Sequence, residues 1–276
     1  MTLKSTFSND IRDVLFGPIM SRRYTAHVTT ERKGIVAGSV YAAAKLADIG
    51  ILPDFLVDEG TSVNPGDLVV SFQGNPKQIA LAEERVIGAM AKFSGIASAA
   101  WRAAALSQGR CRIASGSWTK MPAEIGESVR DAIVLGGASP RLLDVPFLYL
   151  NKNYVRIFGG VAATLDAAAV FKGDRAIVIQ LKGETGSIRT EAAEAVRGGA
   201  DVIMVDTGEL ADAVEAIQIV AELGVRSSRK VAFGKGVGVE DVPRCVDAGI
   251  DLLCMGKAIV DAPLMDMRLD VIQERG

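Results

Sequence analysis

The stretch AVRGGADVIMVD, residues 195–206, carries the pattern that decides the fold. A helical pattern ends there on two glycines, and a short loop with an aspartate leads into Val202–Val205, an uninterrupted apolar run. Glycine is common just past the end of a helix, and strands that are buried on both faces read as continuous apolar runs. The stretch therefore predicts a helix that leads into a buried parallel strand.

A similar stretch recurs about fifty residues later, where CVDAGID, residues 245–251, precedes another apolar run. Such runs alternate with helical patterns through the second part of the chain, at Arg112–Ser115, Phe147–Leu150, Ala176–Leu181, Val202–Val205, Val231–Phe233 and Leu252–Met255. A full (β/α) barrel has about eight strands. We therefore expect an α/β domain over residues 110–276, built as an open or partial (β/α) barrel.

The first part of the chain has a different pattern. Short strand-like runs at Tyr24–Thr30, Phe55–Val57 and Leu68–Phe72 are separated by turn residues. Helical spacing from Pro76 to about residue 108 predicts a long helix, interrupted in pattern by Ser94-Gly95. Glycine within a helix costs about 1 kcal/mol relative to alanine, so a break or a close backbone approach is expected there. Residues 1–109 are predicted to be a small α+β domain with a compact β-sandwich element and a linking helix.

The composition excludes several chemistries. The chain has 276 residues, 49% hydrophobic and 23% charged, so it can bury a sizeable core. Its one histidine, His27, rules out a metal site of two or three histidines within one chain, and we expect no metal-ligand cluster and a structural or interfacial role for His27. Three cysteines without metal-ligand spacing favour a reduced, cytoplasmic protein.

The charge balance and the apolar pattern also limit the partners. The net charge of −2 gives no attraction to nucleic acid or to a membrane surface. The start of the sequence lacks the apolar stretch of a signal peptide. The most apolar region, residues 86–106, contains Lys92 and Arg102 and is too polar for a simple membrane span. We therefore expect a small-molecule protein with neither nucleic acid nor membrane as partner.

Candidate site residues follow the predicted strands, because active sites of (β/α) barrels lie at the carboxyl ends of the strands. They are, in chain order, Ser117, Trp118, Lys120, Lys152, Asn153, Tyr154, Gln180, Asp206, Gly234, Lys235, Gly236, Gly256 and Lys257. The glycine-rich turns at 234–238 and 256–258 expose backbone N–H groups at helix starts, and a lysine in each adds positive charge. These turns predict a phosphate site, unless the glycines only make tight turns and the lysines are solvated.

Two of these residues have alternative interpretations. Asp206 ends an apolar strand, where a carboxylate could hold a ribose hydroxyl or a metal, or could cap the helix that follows Gly208. Trp118 could stack on a ring of a ligand or lie at an interface.

Several segments together resemble the quinolinate phosphoribosyltransferase (nicotinate-nucleotide pyrophosphorylase) family. They are GIVAG at 34–38, the turn at 65–67, Glu84-Arg85, SGIAS at 94–98, Gly136-Gly137, Arg141, ADVIMVD at 200–206 and GID at 249–251. The resemblance implies an N-terminal α/β-sandwich domain on an open barrel, and a homodimer whose active site borrows residues from the partner's first domain. It implies transfer of the ribosyl carbon of phosphoribosyl pyrophosphate to a pyridine dicarboxylate, giving nicotinate mononucleotide, with Mg²⁺ assisting the pyrophosphate.

The resemblance also assigns roles to residues of this chain. The matched positions that the chain retains are Arg141, Asp206, the glycine-rich turn at 234–238 and Gly256. Together with the strand-end positions, this leads us to expect catalytic roles for Lys120, Arg141, Lys152 and Asp206, and substrate or phosphate binding by Arg85 and the other candidates. The family's Thr-Arg-Lys-Thr-x-Pro segment is matched here by Ser117 to Pro122, which places Trp118 and Thr119 at the arginine and lysine positions. Its acidic strand is matched near Gln180, without acids. The replacements at Trp118 and Thr119 remove cations that two substrate carboxylates need.

We therefore expect a divergent member of this fold that binds a phosphorylated sugar or nucleotide and transfers a pentosyl group to an acceptor less acidic than quinolinate. One alternative is a non-catalytic or accessory metabolite-binding protein, like the family's molybdenum-transport-associated relatives. Another is a lysine-dependent barrel lyase or aldolase, with Lys120 or Lys152 as a Schiff-base nucleophile.

Overall fold

The computed structural model describes residues 10–272, which divide into two compact units. The first comprises residues 10–98 and 262–272, and the second residues 99–261. The sequence pattern placed the division at 109/110 and assigned the chain's end to the barrel. The structure differs because the last strand, Met267–Ile272, pairs antiparallel with a strand of the first unit, Tyr24–Thr30.

The first unit is built around a four-stranded antiparallel sheet. Its elements are α1 (Ile11–Leu15), a 3₁₀ turn (Gly17–Ile19), β1 (Tyr24–Thr30), β2 (Gly34–Ile35), α2 (Ser39–Ala47), β3 (Pro53–Leu56), β4 (Ser62–Val63), β5 (Leu68–Gly74), the first part of α3 (Pro76–Ser107) and the C-terminal strand Met267–Ile272. The sheet order is C-terminal strand, β1, β5, β3, and β2 pairs with β4 separately. Apolar side chains of β1, α2, β5 and α3, among them Val28, Leu46, Phe72 and Met90, form its core.

The predicted feature at Ser94-Gly95 is a close backbone approach and not a break. Helix α3 runs through both residues without interruption. A Cβ atom at Gly95 would overlap the carbonyl oxygen of Pro263. The buried Ser94 hydroxyl accepts from the N–H of Ala37 at 2.9 Å and donates to its carbonyl oxygen at 3.0 Å. Small residues are therefore needed at positions 94 and 95, where the segments that contain Ala37 and Pro263 lie against the helix.

The second unit is the expected partial (β/α) barrel. Its elements are β6 (Arg112–Ala114), a 3₁₀ turn (Ser117–Lys120), α4 (Ala123–Leu135), β7 (Phe147–Leu150), α5 (Lys152–Phe158), α6 (Val161–Ala168), a 3₁₀ turn (Ala169–Phe171), β8 (Ala176–Leu181), α7 (Ile188–Arg197), β9 (Val202–Val205), α8 (Leu210–Glu222), β10 (Lys230–Gly234), a 3₁₀ turn (Val239–Asp241), α9 (Val242–Asp247), β11 (Leu252–Cys254) and α10 (Lys257–Val260). All strand pairs in this sheet are parallel, in the order β6-β11-β10-β9-β8-β7. Each of the six predicted apolar runs forms one of these strands.

The repeated aspartate of the two similar stretches has a structural role at the amino ends of the strands. Asp201 accepts a hydrogen bond from the N–H of Ile177 at 2.8 Å and pairs with Arg229. Asp251 accepts from the N–H of Val231 at 2.7 Å and pairs with Arg226. Each aspartate thus satisfies the backbone N–H of the second residue of the neighbouring strand, which helps to fix the register of the sheet.

Within residues 10–272, no single helix is long and apolar enough to cross a membrane, and the one bent pair that passes by length and composition, Lys152–Phe158 with Val161–Phe171, bends by 95°.

Candidate active site

A cavity of about 1020 Å³ lies at the carboxyl ends of the strands of the second unit. Its apolar floor consists of inward-facing side chains from four strands and the segment before β7, including Phe147, Tyr149, Met204 and Cys254. Alternate residues of a strand face the same side, so β7 presents Phe147 and Tyr149 together. The strands thus supply an apolar floor, and the loops that follow them supply a polar rim.

Asp206 is held at this floor by Gln180, in the neighbouring strand β8, and by Lys182, which follows that strand. Gln180 Nε2 donates to Asp206 Oδ2 at 2.7 Å, and Lys182 Nζ donates to the same oxygen at 3.1 Å and to the backbone carbonyl of Asp206 at 2.8 Å. Gln180 Oε1 in turn accepts from the backbone N–H of Lys152 at 2.7 Å. Helix α8 begins at Leu210 with Glu209 at its N-cap. The alternative role of Asp206 as the cap of that helix is therefore not observed.

The rim carries an excess of positive charge. Five basic side chains line the cavity without an ion pair to any of the residues that the structure describes: Lys120, Arg141, Lys152, Lys235 and Lys257. Asp206 is the one carboxylate among the described lining residues, and Lys182 already pairs with it. Clustered cations of this kind favour an anionic ligand.

The turn after β10 has an unusual backbone. Lys235 has a φ of 72° and Gly236 a φ of 81°, so two successive residues are left-handed. For a residue with a side chain this conformation costs about 1–2 kcal/mol. The carbonyl oxygen of Lys235 lies so close to Gly208 that a Cβ there would come within 2.9 Å of it. This contact fixes the turn beside the loop that follows Asp206.

Trp118 connects two loops of the rim. It lies in the 3₁₀ turn after β6, and its indole N–H donates to the carbonyl oxygen of Pro140 at 2.9 Å. The guanidinium carbon of Arg130 lies 5.9 Å from the ring centroid, a cation–π contact. Trp118 therefore holds the segment that carries Arg141 against the turn that carries Lys120.

The glycine after β11 allows a second close approach. A Cβ atom at Gly256 would come within 2.6 Å of the Ser117 hydroxyl oxygen. The adjacent strands β6 and β11 thus bring their two loops together at the rim. This closeness places the Ser117 hydroxyl beside the turn that carries Lys257.

Twelve of the predicted residues line this cavity: Ser117, Trp118, Lys120, Arg141, Lys152, Asn153, Gln180, Asp206, Lys235, Gly236, Gly256 and Lys257. Three others lie elsewhere. Arg85 lies in the first unit, in a shallow depression with Lys45. Tyr154 is on α5 and is exposed, and Gly234 lies below the cavity, where a Cβ would come within 2.6 Å of Met204 Cε.

Tyr149 and Cys254 line the cavity but were not predicted, because they lie within strands and not after them. Burial, with smaller contributions from Cys254 and Asp206, raises the pKa of Tyr149, so that its phenol remains a hydrogen-bond donor. Burial, followed by Asp206 and Cys111, raises the pKa of Cys254 to about 12. The inward alternation along β7 is the signal in the sequence that points to Tyr149.

The site offers little to a protein-bound metal ion. Over residues 10–272, no three His, Cys, Asp or Glu side chains form a group that could hold one. The two lysines considered as Schiff-base nucleophiles, Lys120 and Lys152, are both exposed. Such a lysine is normally activated by burial or by a neighbouring cation, so their exposure does not favour the lyase alternative.

Comparison with known proteins gives a consistent result over both units. The family model described as quinolinate phosphoribosyl transferase, N-terminal domain, matches residues 10–94, and the C-terminal domain model matches residues 97–270. The chain is 25% identical over 261 residues to a probable nicotinate-nucleotide pyrophosphorylase (carboxylating) of Archaeoglobus fulgidus, covering 92% of this chain and 97% of the relative. It is 28% identical over 247 residues to the nicotinate-nucleotide pyrophosphorylase (carboxylating) of Rattus norvegicus, covering 87% and 79%.

The fold agrees with solved structures. The crystal structure of nicotinate-nucleotide pyrophosphorylase from Pyrococcus furiosus matches with a TM-score of 0.80 at 20% identity, over 100% of this chain and 81% of that one. At this level of identity the likeness establishes the fold alone.

Proposed function

Because the chain belongs to the quinolinate phosphoribosyl transferase family, we propose that it binds a phosphorylated sugar or nucleotide in this cavity and transfers the pentosyl group to an acceptor less acidic than quinolinate. The observation that carries the proposal is the group of five unpaired basic side chains around a single, already compensated carboxylate. Three of them, Lys120, Lys257 and Lys235, follow the adjacent strands β6, β11 and β10. Such a row suits phosphate groups.

The composition of the rim supports a less acidic acceptor. A dicarboxylate is best bound by paired, bidentate arginines. Arg141 is the one arginine among the described lining residues. Trp118 and Thr119, which also line the cavity, stand at the positions matched to an arginine and a lysine of the family segment. Each missing charge-assisted hydrogen bond removes about 1.5–3 kcal/mol of binding. The apolar floor of Phe147, Tyr149 and Met204 suits an uncharged ring instead.

The proposed transfer breaks the bond between the ribose C1 and the pyrophosphate oxygen, and the electron pair leaves with pyrophosphate. The lone pair of an acceptor ring nitrogen forms the new bond to C1. No proton needs to move if that nitrogen carries none. The chain contributes through positioning and charge: the rim lysines hold the phosphates, and Asp206 Oδ1 accepts from a sugar hydroxyl.

Magnesium is implied by the family but does not fit the described side chains as a protein-bound ion. The lining carboxylate is taken by Gln180 and Lys182, and no group of three acidic, histidine or cysteine residues is present between residues 10 and 272. The homodimer and the cytoplasmic location expected from the sequence stay predictions.

Isothermal titration calorimetry with phosphoribosyl pyrophosphate and with nicotinate mononucleotide tests the proposal. We expect saturable binding of at least one of them. The double variant Lys235→Gln/Lys257→Gln should lose it, whereas Lys172→Gln, which removes an exposed lysine elsewhere, should retain it. The absence of heat with both compounds would overturn the phosphoribosyl assignment.

The non-catalytic alternative is favoured by one observation: the cavity's lining carboxylate is neutralised before any ligand binds. A pyrophosphate-release assay over a panel of ring-nitrogen acceptors separates the two functions. Saturable binding of phosphoribosyl pyrophosphate, with no pyrophosphate released from it in the presence of any acceptor, would favour an accessory metabolite-binding protein.

A further inference from the structure

Three of the carboxylates that follow strands β8 and β9, Glu184, Glu191 and Asp206, are satisfied by groups of the chain itself. Glu191 is only 2% exposed. It accepts from the backbone N–H groups of Lys182, Gly183 and Thr185 and from the Thr185 hydroxyl, at 2.9–3.2 Å. These four donors leave it no capacity for a cation and fix the loop that begins at Lys182.

Glu184 is occupied in a different way. Both of its oxygens accept from Arg156, Oε2 from Nε and Oε1 from NH2, at 2.7 Å each. The hydrogen bonds from Arg156 lower the pKa of Glu184. This bidentate pair connects α5 to the same loop, so the loop is held from two sides.

Asp206 is the remaining carboxylate, and the groups that donate to it show whether it can bind a cation. An amide nitrogen donates a hydrogen bond and does not ligate a cation. The orientation of the Gln180 amide follows from its other end, since Oε1 accepts from the Lys152 N–H and Nε2 therefore points to Asp206. Lys182 adds a positive charge at the same oxygen, Oδ2, which repels any second cation.

We propose that Gln180 and Lys182 take the place of a divalent cation at Asp206, on the premise of the proposed function that Asp206 Oδ1 meets a sugar hydroxyl. They hold the carboxylate in position and balance its charge, so that this side of the site works without a resident metal. Since only two side chains block the position, replacing both converts it into a cation site: Gln180→Glu adds a second carboxylate, and Lys182→Gln removes the competing charge.

Manganese titration of the metal-free full chain tests this inference. Free Mn²⁺ is followed by electron paramagnetic resonance, without any organic ligand. We expect no stoichiometric site in the wild-type chain. The Gln180→Glu/Lys182→Gln variant should bind one Mn²⁺ per chain, at least about tenfold more tightly than any weak binding by the wild-type chain, since affinity rises with the number of ligand charges. Adding Asp206→Asn should abolish the gain, and Lys172→Gln, with the same loss of charge as Lys182→Gln, should behave as wild type.

Two outcomes would overturn the inference. The first is one tightly bound Mn²⁺ per wild-type chain that Asp206→Asn removes. The second is a double variant that keeps the wild-type unfolding midpoint and gains no site. If the double variant does not fold, the near-isosteric Gln180→Glu variant replaces it and should show a weaker gain of the same kind. Because no phosphoribosyl ligand is used, failure of the proposed function would leave this titration interpretable.

Discussion

The two ends of the partial barrel use basic side chains in different ways. At the amino ends, arginines are paired with aspartates: Arg112 with Asp144, Arg226 with Asp251 and Arg229 with Asp201. At the carboxyl ends, five basic side chains line the cavity unpaired within the described chain. Strand β9 has an aspartate at each end: Asp201, before the strand, pairs with Arg229, and Asp206, after it, pairs with Lys182. The comparison indicates that charge at one end stabilises the sheet and charge at the other is available to a ligand.

Removal of two rim lysines should separate ligand binding from stability most clearly. The Lys235→Gln/Lys257→Gln variant should weaken binding of phosphoribosyl pyrophosphate by about 3–6 kcal/mol, because each charge-assisted hydrogen bond contributes about 1.5–3 kcal/mol. Its free energy of unfolding should stay within about 0.5 kcal/mol of wild type, as is usual for surface substitutions. Calorimetry and urea unfolding measure the two quantities. A large loss of stability with little loss of binding would contradict the assignment of this end.

The converse substitution is at the amino end. Asp251→Ala leaves the N–H of Val231 without its acceptor and removes the carboxylate that pairs with Arg226, whose guanidinium keeps the carbonyl oxygens of Gly249 and Arg229. An orphaned buried donor costs about 1–3 kcal/mol, so the free energy of unfolding in urea should fall by about 2–3 kcal/mol. Ligand affinity measured below the unfolding transition should not change. Asp251→Asn, which keeps one acceptor oxygen, is the matched control and should lose less stability.

Two thiols, one near each end, should respond alike to pH. Burial raises the pKa of Cys111, just before β6, and of Cys254, at the end of β11, from 9.0 to about 12. The folded chain therefore keeps both protons in a range where the unfolded chain releases them. Their stabilising effect is complete below pH 9 and is lost as the pH rises toward 12.

For one thiol this loss is about 1.4 kcal/mol per pH unit at most. The free energy of unfolding, measured in urea, should therefore be lower at pH 10 than at pH 8. Cys254→Ser should remove about half of the part of this decrease that the two thiols cause. A wild-type stability that is unchanged between pH 8 and pH 10 would contradict the raised pKa values. If the two thiols respond alike, the difference between the amino and carboxyl ends of the strands concerns their charged groups and not their buried thiols.

The sequence predicted the strands better than it predicted the contacts between them. Continuous apolar runs identify β6 to β11 because parallel strands are buried on both faces. The pairing of Gln180 and Lys182 with Asp206 depends on β8 and β9 being neighbours in a defined register, which no local pattern contains. The C-terminal strand alternates apolar and polar residues from Met267 to Val271, yet nothing in that alternation identifies β1 as its partner.

Tyr149 and Tyr154 show the same limit within a few residues. The rule that site residues follow a strand selects Tyr154, but α5 begins at Lys152, and the helical turn leaves Tyr154 exposed. Tyr149 faces the cavity because strand alternation places it on the same side as Phe147. Residues at the ends of strands can be predicted from position, whereas residues on the floor require the direction of each side chain.

The smallest expected effect concerns Trp118, which touches the cavity without carrying charge. Trp118→Phe keeps an aromatic ring beside Arg130 but removes the N–H that donates to the Pro140 carbonyl. A single neutral hydrogen bond contributes about 0.5–1.5 kcal/mol, and its loss frees the segment that carries Arg141. We expect phosphoribosyl pyrophosphate affinity to fall by about 1 kcal/mol, measured by calorimetry, and Arg130→Gln to leave it almost unchanged because that side chain does not line the cavity. If Trp118→Phe instead weakened binding as much as the lysine double variant, the indole itself would be the main ligand contact, and the charge contrast between the two ends would not explain binding.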